Sequence, residues 1–215
     1  MNSNARPAER ELKLNLGSGP RFADGWVNVD FALGACLAKV PGFRSLNRRL
    51  GLFRLDWDHR IRLHDLTRPF PWPGRSAAAI YCSHTLEHMT RQRGGIFLTE
   101  CARVLRPGGV LRVVVPDLAA IVERYRSGAL PADELVDALD VLHTDNPSLL
   151  KRRLASWVQH PHRCMYDTPS LVRALHDVGL TAAPRAPFDS DIPDLRAIER
   201  EDRTRDAAIA EGRKV

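Results

Sequence analysis

The chain has 215 residues and a formal net charge of +6, so it is long enough for one full α/β domain and its charge favours an anionic partner. Hydrophobic residues make up 44% of it, and no apolar run approaches the roughly 18 residues that a membrane-spanning helix needs. Met1 to Arg10 is polar rather than a signal peptide. We therefore expect a soluble, cytoplasmic protein with peripheral membrane contact at most.

Four cysteines lie far apart in the sequence and form no C-x-x-C pair. This spacing favours neither a zinc site nor a disulfide framework. We predict free, buried thiols at Cys36, Cys82, Cys101 and Cys164.

Strand-like segments alternate with helical patterns along most of the chain, which predicts an α/β fold. The predicted strands are Leu12 to Leu16, Val27 to Asp30, Ile61 to His64, Ala78 to Cys82, Val110 to Val115, Leu180 to Arg185 and a last one near Ala207 to Glu211. The clearest predicted helices are Arg91 to Arg106, which stops at Pro107-Gly108-Gly109, Leu118 to Arg126, and Thr168 to Gly179. The β-branched fifth strand is typical of a central parallel strand covered on both faces.

Two regions interrupt this alternation. Residues 129–162 contain two predicted helices, begun by Pro131 and Pro147, that form a helical cap over the site. Residues 31–60 form a basic insertion, in which apolar residues from Phe43 to Phe53 share one helical face. That helix is either a surface for a phosphate-bearing or membrane-associated substrate, or a helix docked on the sheet with a solvated arginine face.

A glycine turn and a carboxylate mark the ends of the first two strands. Gly17-Ser18-Gly19 follows the first strand, and Asp30 ends the second. Glycines let backbone amides approach a ligand closely, and an acidic residue at the next strand end can accept hydrogen bonds from ribose hydroxyls. Phe22 stands where a dinucleotide-binding motif has its third glycine, so the pattern favours a nucleoside without pyrophosphate.

In this respect the chain resembles the class I S-adenosylmethionine-dependent methyltransferases, and most of all the small methyltransferases associated with glycan and polysaccharide synthesis. The resemblance covers residues 12–118. It is carried, in the family's order, by Leu14-Asn-Leu-Gly-Ser-Gly-Pro20, Val27-Asn-Val-Asp30, His64-Asp-Leu66, Tyr81-Cys-Ser-His-Thr-Leu-Glu-His88 and Arg103-Val-Leu-Arg-Pro-Gly-Gly-Val-Leu111. It implies a doubly wound, mostly parallel sheet of seven strands whose last strand is antiparallel and inserts beside the fifth, within a single domain over residues 1–215.

The same resemblance implies S-adenosylmethionine as the cofactor and assigns residues to its parts. The glycine turn, with Gly17, Ser18 and Gly19, passes beneath the methionine part, and Asp30 binds the ribose. Asp65 and the Leu66 backbone contact adenine, and Ser83 faces the sulfonium. One departure concerns the loop between Gly19 and Asp30, which is short enough to leave room for only a bare turn of helix in the first crossover.

Histidines supply the candidate general base, because a hydroxyl acceptor must lose its proton during methyl transfer. His84 follows the fourth strand and is our first choice, with His88, His160 and His162 as further candidates. Glu87 and His88 are adjacent, so on a helix they diverge by about 100° and do not form the usual i, i+4 ligand pair. A divalent metal ion held by Glu87, His88 and the later histidines therefore stays an alternative, and our site prediction includes no metal ligand.

The sequence thus predicts a methyltransferase acting on a hydroxyl or carboxyl group of a sugar, glycan or related small molecule. Two alternatives stay open. The basic charge suits an RNA methyltransferase, although the Asn/Asp-Pro-Pro-aromatic signature of base methylation is absent after the fourth strand. The other alternative is a scaffold protein that binds the cofactor without catalysis.

Overall fold

A computed structural model describes residues 11–50, 57–142 and 161–215, and its centre is one seven-stranded sheet. The strands are β1 (Leu12–Leu16), β2 (Val27–Asp30), β3 (Arg62–Leu63), β4 (Ala77–Ser83), β5 (Leu105–Pro116), β6 (Leu180–Pro184) and β7 (Ala207–Lys214). Their order across the sheet is β3-β2-β1-β4-β5-β7-β6, and β7 runs antiparallel to both of its neighbours. The predicted fold class, including the last strand inserted beside the fifth, is confirmed.

The helices flank the sheet, and three of them begin at a capping side chain, namely that of Thr90, Asp117 or Asp167. They are α1 (Leu33–Ala38), α2 (Phe43–Leu50), α3 (Arg91–Val104), α4 (Leu118–Arg126), α5 (Leu135–Leu139), α6 (Thr168–Asp177) and α7 (Glu201–Thr204), with 3-10 turns at Leu86–His88 and Leu195–Ala197. The clearest start is that of α6, where Asp167 accepts from the Ser170 amide and the Ser170 hydroxyl accepts from the Asp167 amide. Helices of the length and hydrophobicity that cross a membrane are absent from the part of the chain that the structure describes.

The strand β5 begins five residues earlier than predicted. The helix before it ends at Val104, and the fully buried Leu105 already pairs with Ala77 of β4. The proline and glycines predicted to stop the helix lie inside the strand, where the β4–β5 register shifts. A Cβ on Gly109 would lie 2.9 Å from the Ala77 carbonyl oxygen, so glycine allows the two backbones to approach there.

The described parts of the predicted cap and insertion agree with expectation only in part. In the cap, α5 begins at Leu135 rather than at Pro131, and the second cap helix predicted from Pro147 lies outside the described residues. In the insertion, α2 forms as predicted, but Leu46 and Leu50 are 47% and 58% exposed. The interpretation of a helix docked on the sheet therefore does not hold for these two side chains.

The two faces of the sheet are covered differently. On one face, Phe97 and Leu98 of α3 and Leu171 and Leu175 of α6 belong to the larger core cluster. On the other face, Trp26 and Tyr81 pack in a smaller cluster with residues of the irregular segment 186–199, such as Ile192 and Leu195. A stretch of chain without a long helix thus closes the second face.

Arg112 of β5 holds that segment to the sheet through buried ion pairs. Its Nε and Nη2 atoms donate to the Glu199 carboxylate at 2.9–3.0 Å, and Nη1 donates to Glu211 at 3.0 Å. The remaining guanidinium donors reach the carbonyl oxygens of Ala186 and Asp189. The guanidinium is fully buried and its hydrogen-bonding capacity is fully used, as a buried charge requires.

The cysteines are free thiols, as predicted. Cys82 and Cys101 are buried in the core, and this burial raises the pKa of both thiols. Cys36 and Cys164 are only partly buried, so the prediction of burial holds for two of the four.

Candidate active site

The candidate site lies where the strand order reverses, between β1 and β4. Parallel strands leave a crevice outside their carboxyl ends at such a point, and ligands of doubly wound folds bind there. The carboxyl ends of β1, β2, β3 and β4 bring together the predicted glycine turn, Asp30, Asp65 and His84. The fold therefore places the predicted cofactor residues along one edge of the sheet.

The glycine turn packs tightly on one side and is open on the other. The amides of Gly17 and Ser18 both donate to the Val29 carbonyl oxygen, at 2.9 and 3.0 Å. Gly17 has φ +71°, and a Cβ there would lie 1.9 Å from the Thr85 Oγ1 atom. Gly19 has φ +63°, but a Cβ there would meet nothing within 4 Å. The open side leaves room for a ligand.

Asn28 of β2 stabilises the short crossover, which contains no helix between β1 and β2. Its Oδ1 accepts from Asn15 Nδ2 at 2.8 Å and from the Ala23 amide at 3.1 Å. Its Nδ2 donates to the carbonyl oxygens of Ala23 and Trp26. Sequence reasoning missed this residue, although asparagine inside a buried strand is unusual enough to have pointed to it.

Asp30 joins the end of β2 to the glycine turn. One carboxylate oxygen accepts from the Gly19 amide at 2.9 Å, and the other accepts from the Ala32 amide at 2.8 Å. A carboxylate oxygen has two lone pairs, so each can still accept one hydroxyl. The residue is thus held in place and retains capacity for the two ribose hydroxyls.

Asp65 lies beyond the end of β3, the neighbour of β2. The adjacency of the two strand ends is fixed by the His64 amide, which donates to the Asp30 carbonyl oxygen at 3.3 Å. Partial burial raises the pKa of Asp65, but hydrogen bonds from the Thr67 hydroxyl and amide outweigh it and hold the pKa below its usual value. The Leu66 side chain is buried in the core, so only its backbone faces a ligand.

His84 follows Ser83, the last residue of β4, and has a left-handed backbone with φ +50°. Its amide donates to the Val114 carbonyl oxygen. Its Nε2 lies 2.9 Å from the Arg203 carbonyl oxygen, and since a carbonyl only accepts, Nε2 carries the proton. Its Nδ1 lies 3.4 Å from a Glu87 carboxylate oxygen. Both ring nitrogens therefore face protein groups here.

Further histidines gather around Glu87. The rings of His88 and His162 lie with centroids 5.1 Å apart, although 74 positions separate the two residues in sequence. One donor atom each from Glu87, His88 and His162 lie within 4.8 Å of one another. His160, the remaining candidate base, lies outside the described residues.

An arginine-lined cleft of about 520 Å³ lies beside this site and was not predicted from the sequence. Arg21 contributes from the loop after the glycine turn, and Arg200 and Arg205 flank α7. Glu201 and Asp202 complete the lining. The hydrogen bond from His84 to Arg203 ties α7 to the tip of β4, so the cleft adjoins the strand ends.

A family model described as a methyltransferase domain matches residues 40–113, about a third of the chain. The match runs from the region before α2 into β5 and so includes Asp65, Ser83 and His84, but not the glycine turn or Asp30. No curated protein matches this chain.

Solved structures resemble the chain over most of its length at low identity. A methyltransferase in complex with the Haloferax volcanii Trm112 activator is 16% identical with TM-score 0.48, over 95% of this chain and 83% of that one. Burkholderia thailandensis 1,6-didemethyltoxoflavin-N1-methyltransferase, bound to S-adenosylhomocysteine, is 16% identical with TM-score 0.47, over 95% and 71%. The Bacillus YcgJ protein is 16% identical with TM-score 0.48, over 95% and 92%. The chain spans 50% of two further matches.

The strand order and the matched domain model indicate the same class of protein. It is an enzyme, a methyltransferase with the class I fold. Its cofactor is S-adenosylmethionine.

Proposed function

We propose that the enzyme transfers a methyl group to a hydroxyl or carboxyl of an acidic sugar or a related anionic small molecule, such as a precursor of a glycan or polysaccharide. The observation that carries this proposal is the cleft near the glycine turn, in which three arginines outnumber the two carboxylates of Glu201 and Asp202. Guanidinium groups bind carboxylates and phosphates through paired, charge-assisted hydrogen bonds. Arg21 and Arg205 are exposed, whereas Arg200 is ion-paired with Asp202, so the first two are our candidates for holding the acceptor.

We propose that the cofactor lies at the carboxyl ends of the strands. Asp30 takes the two ribose hydroxyls on its unused lone pairs, and the open face of Gly19 accommodates the methionine part. The complete set of proposed cofactor residues is Gly17, Ser18, Gly19, Asp30, Asp65, Leu66 and Ser83. When bound, the cofactor supplies an electrophilic methyl group on a sulfonium.

His84 is our proposed general base, with His88 and His162 as the other described candidates. The bound cofactor would supply the methyl group to an acceptor oxygen held in line with it, and His84 would take the proton that the acceptor hydroxyl loses. If the acceptor displaces the Arg203 carbonyl oxygen from Nε2, the ring can carry its proton on Nδ1, facing Glu87 at 3.4 Å. Glu87 then orients the imidazole and stabilises its cationic form, as a carboxylate does in a catalytic triad.

The acceptor class can be tested with methyl-labelled S-adenosylmethionine and three acceptor panels: uronic acids and phosphosugars, neutral sugars, and total RNA. We expect label in the acidic sugars. We expect Arg21→Ala and Arg205→Ala to raise KM for these acceptors while leaving the Kd of S-adenosylhomocysteine unchanged. Equal labelling of neutral sugars, or label confined to RNA, would overturn the proposed acceptor. Cofactor binding without any labelled product would favour the scaffold alternative.

A further inference from the structure

Glu87 is a buried carboxylate whose hydrogen-bonding capacity is not used by the described residues. It is 1% exposed, and neither of its carboxylate oxygens accepts a hydrogen bond within the described ranges. Its nearest cationic candidate is His84 Nδ1, at an ion-pair distance of 3.4 Å. An ionised carboxylate is costly to bury without hydrogen bonds or a compensating charge, so this position calls for a cation.

The side chains around Glu87 are metal-ligand types from two separate parts of the chain. Glu87 and His88 lie on the 3-10 turn after β4, and His162 comes from the segment before α6. Their donor atoms lie within 4.8 Å of one another, so a single ion can contact all three. Glu87 and His88 are adjacent in sequence, and the third donor, His162, comes from a distant segment and lies on the same side as both.

His162 is oriented as a metal ligand would be. Its Nδ1 lies 2.8 Å from the Leu139 carbonyl oxygen and must donate to it. The lone pair of a neutral ring is therefore on Nε2, which lies 3.9 Å from Asp140 Oδ2. Ligating histidines typically donate their second ring nitrogen to a carbonyl or carboxylate, which fixes the tautomer.

The backbone holds the two contributing segments together without the side chains. The amides of Arg163 and Cys164 both donate to the Glu87 carbonyl oxygen, at 2.8 and 3.1 Å. The His162 amide donates to the Asp140 carbonyl oxygen at 2.8 Å. The three side chains are thus brought together by the fold, which is the condition for a preformed site.

We propose that Glu87, His88 and His162 bind a divalent transition-metal ion, for which Zn²⁺ fits best. Two imidazoles and one carboxylate are the donor set of a zinc site that keeps a fourth position for water or another ligand. Magnesium and calcium prefer oxygen donors, so the two imidazoles disfavour them. Such an ion compensates the buried charge of Glu87 and links the turn after β4 to the segment before α6. This inference does not depend on the proposed acceptor.

The test uses the full chain, stripped with chelator and titrated with Co²⁺, a visible probe for zinc-type sites. We expect one Co²⁺ per chain with the d–d absorption of a four-coordinate ion, displaced by Zn²⁺, and a higher melting temperature with either ion. Glu87→Gln and His162→Ala should each lower the Co²⁺ affinity by more than about tenfold, because even an outer-shell partner contributes that much.

His176→Ala is the matched control, since this histidine is exposed on α6, and it should bind Co²⁺ like the wild type. Circular dichroism of each variant shows whether it is folded, and so distinguishes the loss of a metal ligand from the loss of the fold. Two results would overturn the proposal. One is a wild type that binds no stoichiometric metal at micromolar concentration. The other is a folded Glu87→Gln variant that retains the wild-type affinity.

Discussion

Thr85 occupies the space that a side chain at position 17 would need, since its Oγ1 lies 1.9 Å from the position of a Cβ on Gly17. The glycine turn after β1 and the segment after β4 that contains His84 are therefore packed against each other. A change in one displaces the other, and this contact couples the proposed cofactor residues to His84.

Gly17→Ala should destabilise the protein and impair cofactor binding. Alanine in a left-handed conformation costs roughly 1–2 kcal/mol, and overpacking adds about 1–3 kcal/mol. Urea unfolding should therefore show a loss of about 2–5 kcal/mol. The control is Gly19→Ala. Gly19 has a similar φ of +63°, but a Cβ there meets nothing within 4 Å, so this variant should lose only the stability that backbone strain costs. Equal losses in both variants would contradict the packing argument, whereas Thr85→Ala should partly rescue Gly17→Ala.

Asp30→Asn should weaken the binding of S-adenosylhomocysteine. The carboxylate accepts from two backbone amides, and an asparagine amide can accept at only one of these positions while its NH2 opposes the other donor. Losing one charge-assisted hydrogen bond predicts an increase in Kd of about 10–100-fold by calorimetry. Asp24→Asn, on a side chain that is 92% exposed, should leave Kd unchanged. A wild-type Kd for Asp30→Asn would remove this residue from the cofactor site.

Arg112→Met should lower the free energy of unfolding far more than the same substitution at an exposed arginine. The substitution leaves Glu199 and Glu211 buried without their common counter-ion, which predicts a loss of about 3–5 kcal/mol in urea unfolding. The control is Arg126→Met, because Arg126 pairs with Glu123 where both side chains are mostly exposed. That pair should contribute less than about 1 kcal/mol. Similar losses for the two variants would argue against a buried charge cluster.

Glu100 should contribute stability that disappears in acid. The Arg103 hydrogen bonds, with a further one from the Phe70 amide, hold the pKa of Glu100 below its ordinary value of 4.5. Because the folded-state pKa is the lower one, the contribution is complete above the unfolded-state pKa and is lost as pH falls through the folded-state pKa. The free energy of unfolding of the wild type should exceed that of Glu100→Gln by up to about 1 kcal/mol at pH 7, and this difference should shrink below about pH 4.

Urea midpoints at several pH values measure this difference directly. Glu123→Gln is the comparison, since the Glu123 side chain is 61% exposed and its pair with Arg126 is solvated. A gap between wild type and Glu100→Gln that stays constant into acid would show that the carboxylate charge is not the source of the stability.

Local sequence patterns predicted the strands well, because the composition of a buried strand is visible in a few neighbouring residues. The run Leu12–Leu16 and the β-branched core of β5 have the composition of buried parallel strands, and both formed. The start of β5 was wrong by five residues because it is set by pairing of Leu105 with Ala77, which no local pattern contains. The helix-free crossover likewise depends on contacts of Asn28 across the loop.

The site was predictable only where its residues follow strand ends. Asp30 and His84 could be placed because the carboxyl ends of parallel strands share an edge. The meeting of His162 with Glu87, and the cleft formed by Arg21 and Arg205, join positions far apart in the chain. Spacing in the sequence holds no information on such contacts. The metal-ligand cluster and the cleft could therefore be recognised only from the structure.

The hydrogen-bond partners of the Arg112 guanidinium all come later in the chain, from 74 to 99 positions downstream. During synthesis, β5 leaves the ribosome long before the carboxylates that neutralise it, so this arginine stays hydrated until the C-terminal stretch arrives. Completion of the sheet therefore waits until β7 has been synthesised. A nascent chain arrested before Glu199 would be expected to recruit chaperones, because the apolar face of the sheet that segment 186–199 covers is still exposed to solvent.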